Sequence, residues 1–180
     1  YPDILTVEDP QEDAGDLLPL VTGAIDAALE QFLANREMEG ERLCQDLLEK
    51  LTAMEQDVAI LKERTPQILE EYRARLTQKV RELLGDTSLD ENRIASEVII
   101  YADKICIDEE IVRLESHVAQ MRHALENGGE VGRKLDFIAQ EMNREANTVL
   151  SKSTDVTIAN VGISLKTRIE KVREQVQNIE

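Results

Sequence analysis

Aromatic side chains are scarce in this sequence. It has no tryptophan, two phenylalanines (Phe32 and Phe137) and three tyrosines (Tyr1, Tyr72 and Tyr101) among 180 residues. That scarcity leaves a base-stacking nucleic-acid platform poorly supported. Cysteine is almost as rare: Cys44 and Cys106 stand far apart. Their spacing excludes a zinc knuckle, a paired redox motif or a disulfide framework. A basic excess is missing too, since the net charge is −16, which argues against a simple basic nucleic-acid-binding domain. No apolar run is expected to reach membrane-spanning length, and no signal peptide is visible. The expected compartment is the cytoplasm, with no membrane partner and no organic cofactor. No glycine-rich phosphate loop, zinc motif or standard nuclease motif occurs.

What is present suits long helices packed side by side. Hydrophobic residues make up 42% and charged residues 32%. The apolar side chains are mainly Leu, Ile, Val and Ala. The length allows one sizeable domain or two small ones. Charge is unevenly spread: residues 1–50 carry a net −10, whereas residues 131–180 carry +1. A polyanion is therefore expected to meet the last fifty residues first.

Residues 1–15 hold Pro2, Pro10 and many acids, and read as a loop or linker. Asp16 is a plausible N-cap. Apolar residues then recur at helical spacing from Leu17 to Leu33, and again from Leu43 to Leu61. Thr65-Pro66 reads as a fresh helix start, with that helix ending at Gly85. Residues 86–90 read as a turn. A helix over about 90–126 carries the seam Ile100, Ile107, Ile111, Leu114, Val118, Met121 and Leu125. Asn127-Gly128-Gly129 stops it. A helix over 131–152 follows, and Thr154 or Asp155 opens the last one. No strand is expected. The fold class is all-α, with long antiparallel helices. Residues 16–89 are expected to form a projecting helical hairpin and residues 90–180 a C-terminal helical bundle.

The run GRKLDFIAQEMNREANTVLSK, residues 132–152, is unusual. Asn is a poor helix former, so Asn143 and Asn147 in mid-helix ask for a reason. Helical spacing puts Asp136, Gln140, Asn143 and Asn147 on one flank of the apolar seam. Glu141, Glu145, Thr148 and Lys152 fall on the other, and Arg144 lies opposite the seam. Glu141 and Glu145 stand one turn apart and repel unless a cation lies between them. That cation is either a hard divalent ion, which could activate water, or an arginine from a neighbouring helix. Spacing leaves both open. A second polar stripe comprises Asp103, Cys106, Glu110, Arg113 and His117. His117 is a candidate acid or base, or else a structural histidine. Arg133, Lys134, Arg144 and Lys152 suit phosphate contacts.

The run at 132–152 closely resembles the C-terminal signature of the YicC family. ADKICIDEEIVRLESH, residues 102–117, matches the same domain, and so do the final residues 173–180. Arg36, Glu39-Gly40 and Leu43 resemble a less specific part of the pattern. The resemblance implies an endoribonuclease that hydrolyses RNA with a divalent metal, manganese or magnesium. It also implies a homo-oligomer, with a hexamer as the expected form, and the label of stress-induced protein. Family members carry roughly another hundred residues in an N-terminal domain with strands, so this chain would be the C-terminal portion. Carried over by position, Glu141 and Glu145 are the expected catalytic and metal-binding carboxylates. Asp136 and His117 are further catalytic candidates, and Glu110 and Asp103 further metal ligands. Arg133, Lys134, Asn143, Arg144, Asn147 and Lys152 are the expected RNA contacts. The family often has aspartate where Cys106 stands, which puts the 103–117 stripe in question. The alternative is a non-catalytic helical module that binds RNA or protein and organises assembly.

Overall fold

The computed structural model describes residues 14–84, 91–177 and 179. These comprise five helices: α1 (Ala14–Leu84), α2 (Glu91–Ile105), α3 (Asp108–Asn127), α4 (Gly132–Lys152) and α5 (Val156–Val176). The all-α class stands. The loop expected over residues 1–13, the Gly85 cap and the turn at 86–90 lie outside the described residues.

Two compact units divide the chain, residues 1–42 and 43–180. In the first, every described side chain from Leu17 to Arg42 is exposed. Leu17, Val21, Ile25, Leu29, Phe32 and Leu33 make an uncovered apolar row. α1 is already helical at Asp16, so Asp16 is no N-cap. By length and composition, the N-terminal part of α1 is apolar enough to cross a membrane. That corrects the expectation that no stretch reaches this length, although Asp26 and Glu30 interrupt the row.

In the second unit, the rest of α1 buries Leu47, Leu51, Met54, Val58, Leu61 and Ile68. Their spacing alternates between four and three as far as Leu61 and then steps a full seven to Ile68, the pattern of a bundle seam. Ion pairs fix its neighbours. Arg122 reaches Glu55 at 2.9 Å and Lys62 reaches Glu115 at 3.1 Å, so α1 and α3 run antiparallel. Arg168 reaches Asp57 at 3.0 Å, and Gln175 donates to Asp46, so α1 and α5 also run antiparallel. Glu110 pairs with Lys152 and Arg113 with Glu145, while Asp136 pairs with Arg173 and Asn147 meets Lys166, so α3–α4 and α4–α5 are antiparallel as well. The result is an up-and-down four-helix bundle in the order α1, α3, α4, α5.

Two expected boundaries differ. α1 passes straight through Thr65-Pro66. A proline in a helix interior removes one hydrogen bond and costs about 3 kcal/mol. Packing on both sides offsets that cost. Leu61 and Ile68 are buried across the proline. Arg64 is clamped by Asp155 at 2.8 Å and by Glu71, and Thr65 Oγ1 donates to the Leu61 carbonyl at 2.7 Å. Residues expected as a hairpin are thus one continuous helix wherever they are described.

Conversely, the helix expected over 90–126 breaks at Cys106–Ile107. Ile105 and Ile107 are both buried. Residues two apart on a helix point to nearly opposite sides, so burying both makes the chain leave the helix. Ile100, expected on the seam, is 63% exposed.

The remaining boundaries follow local chemistry. Gly128 and Gly129 take φ of 64° and 90°, a region glycine enters freely. Asp155 caps α5, its carboxylate accepting from the Ile158 N–H at 3.1 Å.

Candidate functional site

α4 presents its seam, Leu135, Ile138, Met142, Ala146 and Val149, to the core. Its two polar flanks therefore turn toward different neighbours, α3 and α5.

On the α3 side, Glu145 is 3% exposed and accepts a hydrogen bond from Arg113 Nη1 at 3.3 Å. Arg113 also pairs with Glu109. One turn or two further along α4, Lys152 Nζ donates to Glu110 Oε1 at 2.8 Å. Glu110 is buried, and its Oε2 has no partner among the described residues. The hydrogen bond to Glu110 raises the Lys152 ammonium above its ordinary pKa, against the opposing effect of burial. Continuing this antiparallel register sets His117 level with residues 141–145. His117 is half-buried, and its Nδ1 is buried without a partner among the described residues. Glu141 is half-buried beside them.

This arrangement answers the question that spacing left open at Glu145. Its cation is an arginine from the neighbouring helix. Lys152, expected to touch phosphate, neutralises Glu110 instead. Asp103 lies on α2, beyond the break at Cys106–Ile107, so it does not continue the α3 stripe. It is exposed. Cys106 Sγ lies 3.8 Å from Asp108 Oδ2. No group of three His, Cys, Asp or Glu side chains that could hold a metal ion occurs among the described residues. The expected set of Glu141, Glu145, Glu110 and Asp103 thus forms no ligand cluster within this chain.

The α5 side is built from amides. Asn143 Nδ2 donates to Glu170 Oε1 at 2.7 Å. Asn147 Oδ1 accepts from Lys166 Nζ at 2.9 Å, and its Nδ2 lies 3.4 Å from Asn143 Oδ1. These contacts are the tertiary reason for asparagine in mid-helix. Asp136 accepts from Gln140 at 2.7 Å and from Arg173 Nε at 3.3 Å. The candidate acid Asp136 is therefore on the flank away from Glu145, and the two do not share a site.

An open groove of about 490 Å³ runs along the outer side of this flank. Gln140, Asn143, Arg144, Asn147, Thr148, Ser151 and Arg173 line it, and no carboxylate does. In a chain of −16, a groove of amides, hydroxyls and two guanidiniums is locally the opposite of the whole. Arg144 is exposed and has no acidic partner among the described residues. Arg133 and Lys134 are exposed in the first turn of α4. Ser151 and Arg173 were missed from sequence. Arg173 is distant in the chain, and only the α4–α5 pairing brings it to the groove.

Comparison with known proteins adds to this geometry. A family model described as "Endoribonuclease YicC-like, C-terminal" matches residues 61–180. A Clostridioides difficile protein named "Probable endoribonuclease YicC" is 41% identical over 181 residues, covering 100% of this chain and 62% of its own length. A Haemophilus influenzae protein of the same name is 37% identical over 182 residues, covering 100% of this chain and 61% of its own. The chain thus spans about three fifths of the length of these curated relatives.

Proposed function

The chain belongs to the YicC-like endoribonuclease family, and on that premise we propose that it is the helical part of an enzyme that cuts RNA phosphodiester bonds. The observation that carries this reading is the carboxylate-free groove on α4, lined by amides, hydroxyls and the guanidiniums of Arg144 and Arg173. Arg144 and Arg173 would neutralise phosphates there, and Arg133 and Lys134 would extend the contact along α4. Asn143, Asn147, Thr148 and Ser151 offer neutral hydrogen bonds to ribose and phosphate oxygens. Glu141 is the carboxylate least engaged by cations. Glu145 is oriented by Arg113, which suits a residue whose position matters to the chemistry beside it.

Among the described residues, the divalent ion expected from the family resemblance finds no donor set. Glu145 and Glu110 already hold cations, and no third ligating side chain joins them among the described residues. A homo-oligomer, hexameric by resemblance, belongs to the same proposal. The uncovered apolar row from Leu17 to Leu33 supports it, because such rows are normally covered in the working protein.

Cleavage of a labelled RNA by the full-length protein, with and without manganese or magnesium, tests the reading. The same assay on residues 1–180 alone asks what this part does by itself. Glu145→Gln is expected to lower cleavage at least tenfold with assembly intact by mass measurement. Unchanged cleavage would remove Glu145 from the chemistry. The second reading, a helical module that binds RNA without cutting it, is favoured by the cation-paired state of Glu145 and Glu110. RNA binding without cleavage by the full-length protein would select it.

A further inference from the structure

We propose that residues 72–81 of α1 form a second RNA-contacting surface, one that takes unpaired nucleotides and uses residues other than those of the α4 groove. The inference rests on RNA being the substrate, as argued above.

The run is YRARLTQKVR. It contains Arg73, Arg75, Lys79 and Arg81 and no acid, in a chain whose net charge is −16. Averaging over the block 51–90 hides this run, because that block sums to −2. All four cations are exposed. Arg73, Lys79 and Arg81 have no acidic partner among the described residues. Two neighbouring carboxylates on α1 have other partners, and Glu70 stands one turn before Arg73. Glu71 is clamped by Arg64, with Arg75 adding a weaker electrostatic pull, and Glu82 accepts from Gln78 at 2.9 Å.

Aromatic residues, rare in this chain, gather beside these charges. Tyr72 stacks on Tyr101 of α2, with ring centroids 3.8 Å apart and planes 12° from parallel. Tyr101 is tied down through its hydroxyl, 2.7 Å from Thr154 Oγ1. The Arg75 guanidinium lies 5.7 Å from the centre of the Tyr72 ring. Three planar groups are thus assembled on a segment whose four cations are all exposed, with Lys79 on the same side of α1 as Tyr72 and Arg75. Cations that follow the backbone, with planar groups for the bases, are what single-stranded nucleic acid needs.

An open groove of about 780 Å³ lies on another flank of this part of α1. Arg73, Thr77 and Arg81 line it on successive turns of α1, facing Ile94 of α2, with Glu70 and Glu91 also in its lining. Successive turns are about 6 Å apart, so the two arginines span about 12 Å, room for a short stretch of backbone. The acids at the rim disfavour a broad non-specific polyanion surface. A duplex buries its bases and gains nothing from the planar stack.

The test is fluorescence anisotropy of a labelled single-stranded RNA and of an RNA hairpin, titrated with the full 1–180 chain at several salt concentrations. The triple variant R73Q/K79Q/R81Q is expected to weaken single-strand binding at least tenfold. Its plot of log affinity against log salt should flatten by about 2, since each lost phosphate contact removes about 0.7. Tyr72→Ala should cost about tenfold on the single strand and less than twofold on the hairpin, whereas Tyr72→Phe should retain binding. Circular dichroism on each variant checks that α1 stays helical. Unchanged affinity and slope in the triple variant, with weakened binding in Arg144→Ala, would overturn this surface and leave the proposed function standing. Absence of RNA binding by the unaltered chain at low salt would overturn this surface, whereas absence of both binding and cleavage by the full-length protein would overturn the proposed function. Equal competition by poly-glutamate and by single-stranded RNA would also sink the proposal, because charge alone would then explain the surface.

Discussion

The two flanks of α4 come from one 21-residue helix, yet they solve different problems. Toward α3, the flank buries Glu145 and accepts the buried Glu110 from its neighbour, so each carboxylate needs a cation. Arg113 and Lys152 supply those cations. Toward α5, the flank is neutral except for Asp136, and amides join the helices while the outer edge stays open. A buried ion pair is costly to break, because the surviving charge has no water to return to. Exposed amides and hydroxyls carry no such penalty and remain available to a ligand. Carboxylates one turn apart are thus no metal site by spacing alone, since the facing helix decides what neutralises them.

The strongest way to break this contrast is Lys152→Met. It strands Glu110, one of whose oxygens already lacks a partner among the described residues. A loss of about 3 kcal/mol in urea unfolding is expected, with E110L/K152M recovering most of it. A single-variant loss much below that would show that the α3 flank is not locked by this pair.

On the other flank, Gly162→Ala probes how closely α4 and α5 approach. A Cβ at Gly162 would stand 2.7 Å from Leu150 Cδ2 and 2.9 Å from its Cγ. Overpacking of about 2 kcal/mol is expected, read by the same unfolding curves. Pairing the change with Leu150→Ala should return part of that loss, and if it does not, the contact is not the cause.

Asp155 lies outside both flanks and sharpens the comparison as a control. Its hydrogen bond with Arg64 holds the carboxyl below its ordinary pKa, and the Ile158 N–H acts in the same direction. A depressed folded pKa means that the contribution is present above the unfolded value of about 4 and is lost as pH falls through the folded value. Asp155→Asn keeps a capping side chain but loses the charge. The variant should be about 1 kcal/mol less stable at neutral pH and show a shallower stability loss below pH about 4. Parallel acid limbs in the two proteins would contradict the assignment.

Much of α4 was legible beforehand. Its seam, its two flanks and the Asp155 cap of α5 depend on helical period and local hydrogen bonding, which the sequence carries directly. The two misplaced boundaries have a common origin in packing that overrides local signals. Pro66 reads as a helix start because local propensity says so, but core contacts at Leu61 and Ile68 hold the helix through it. Residues 90–126 read as continuous because their period is helical, but burying Ile105 and Ile107 together requires a break. The basic run 72–81 escaped notice because charge was averaged over a longer block.

Periodicity, caps and glycine turns act within a few residues, so the chain alone was enough to specify an all-α protein and the faces of its helices. The YicC-like signature was likewise readable as a string. Which cation meets Glu145, why Lys152 turns inward and how Arg173 comes to line the groove depend on helices distant in sequence. Those answers exist only once α3, α4 and α5 pack, because charge neutralisation and burial are properties of neighbours in space.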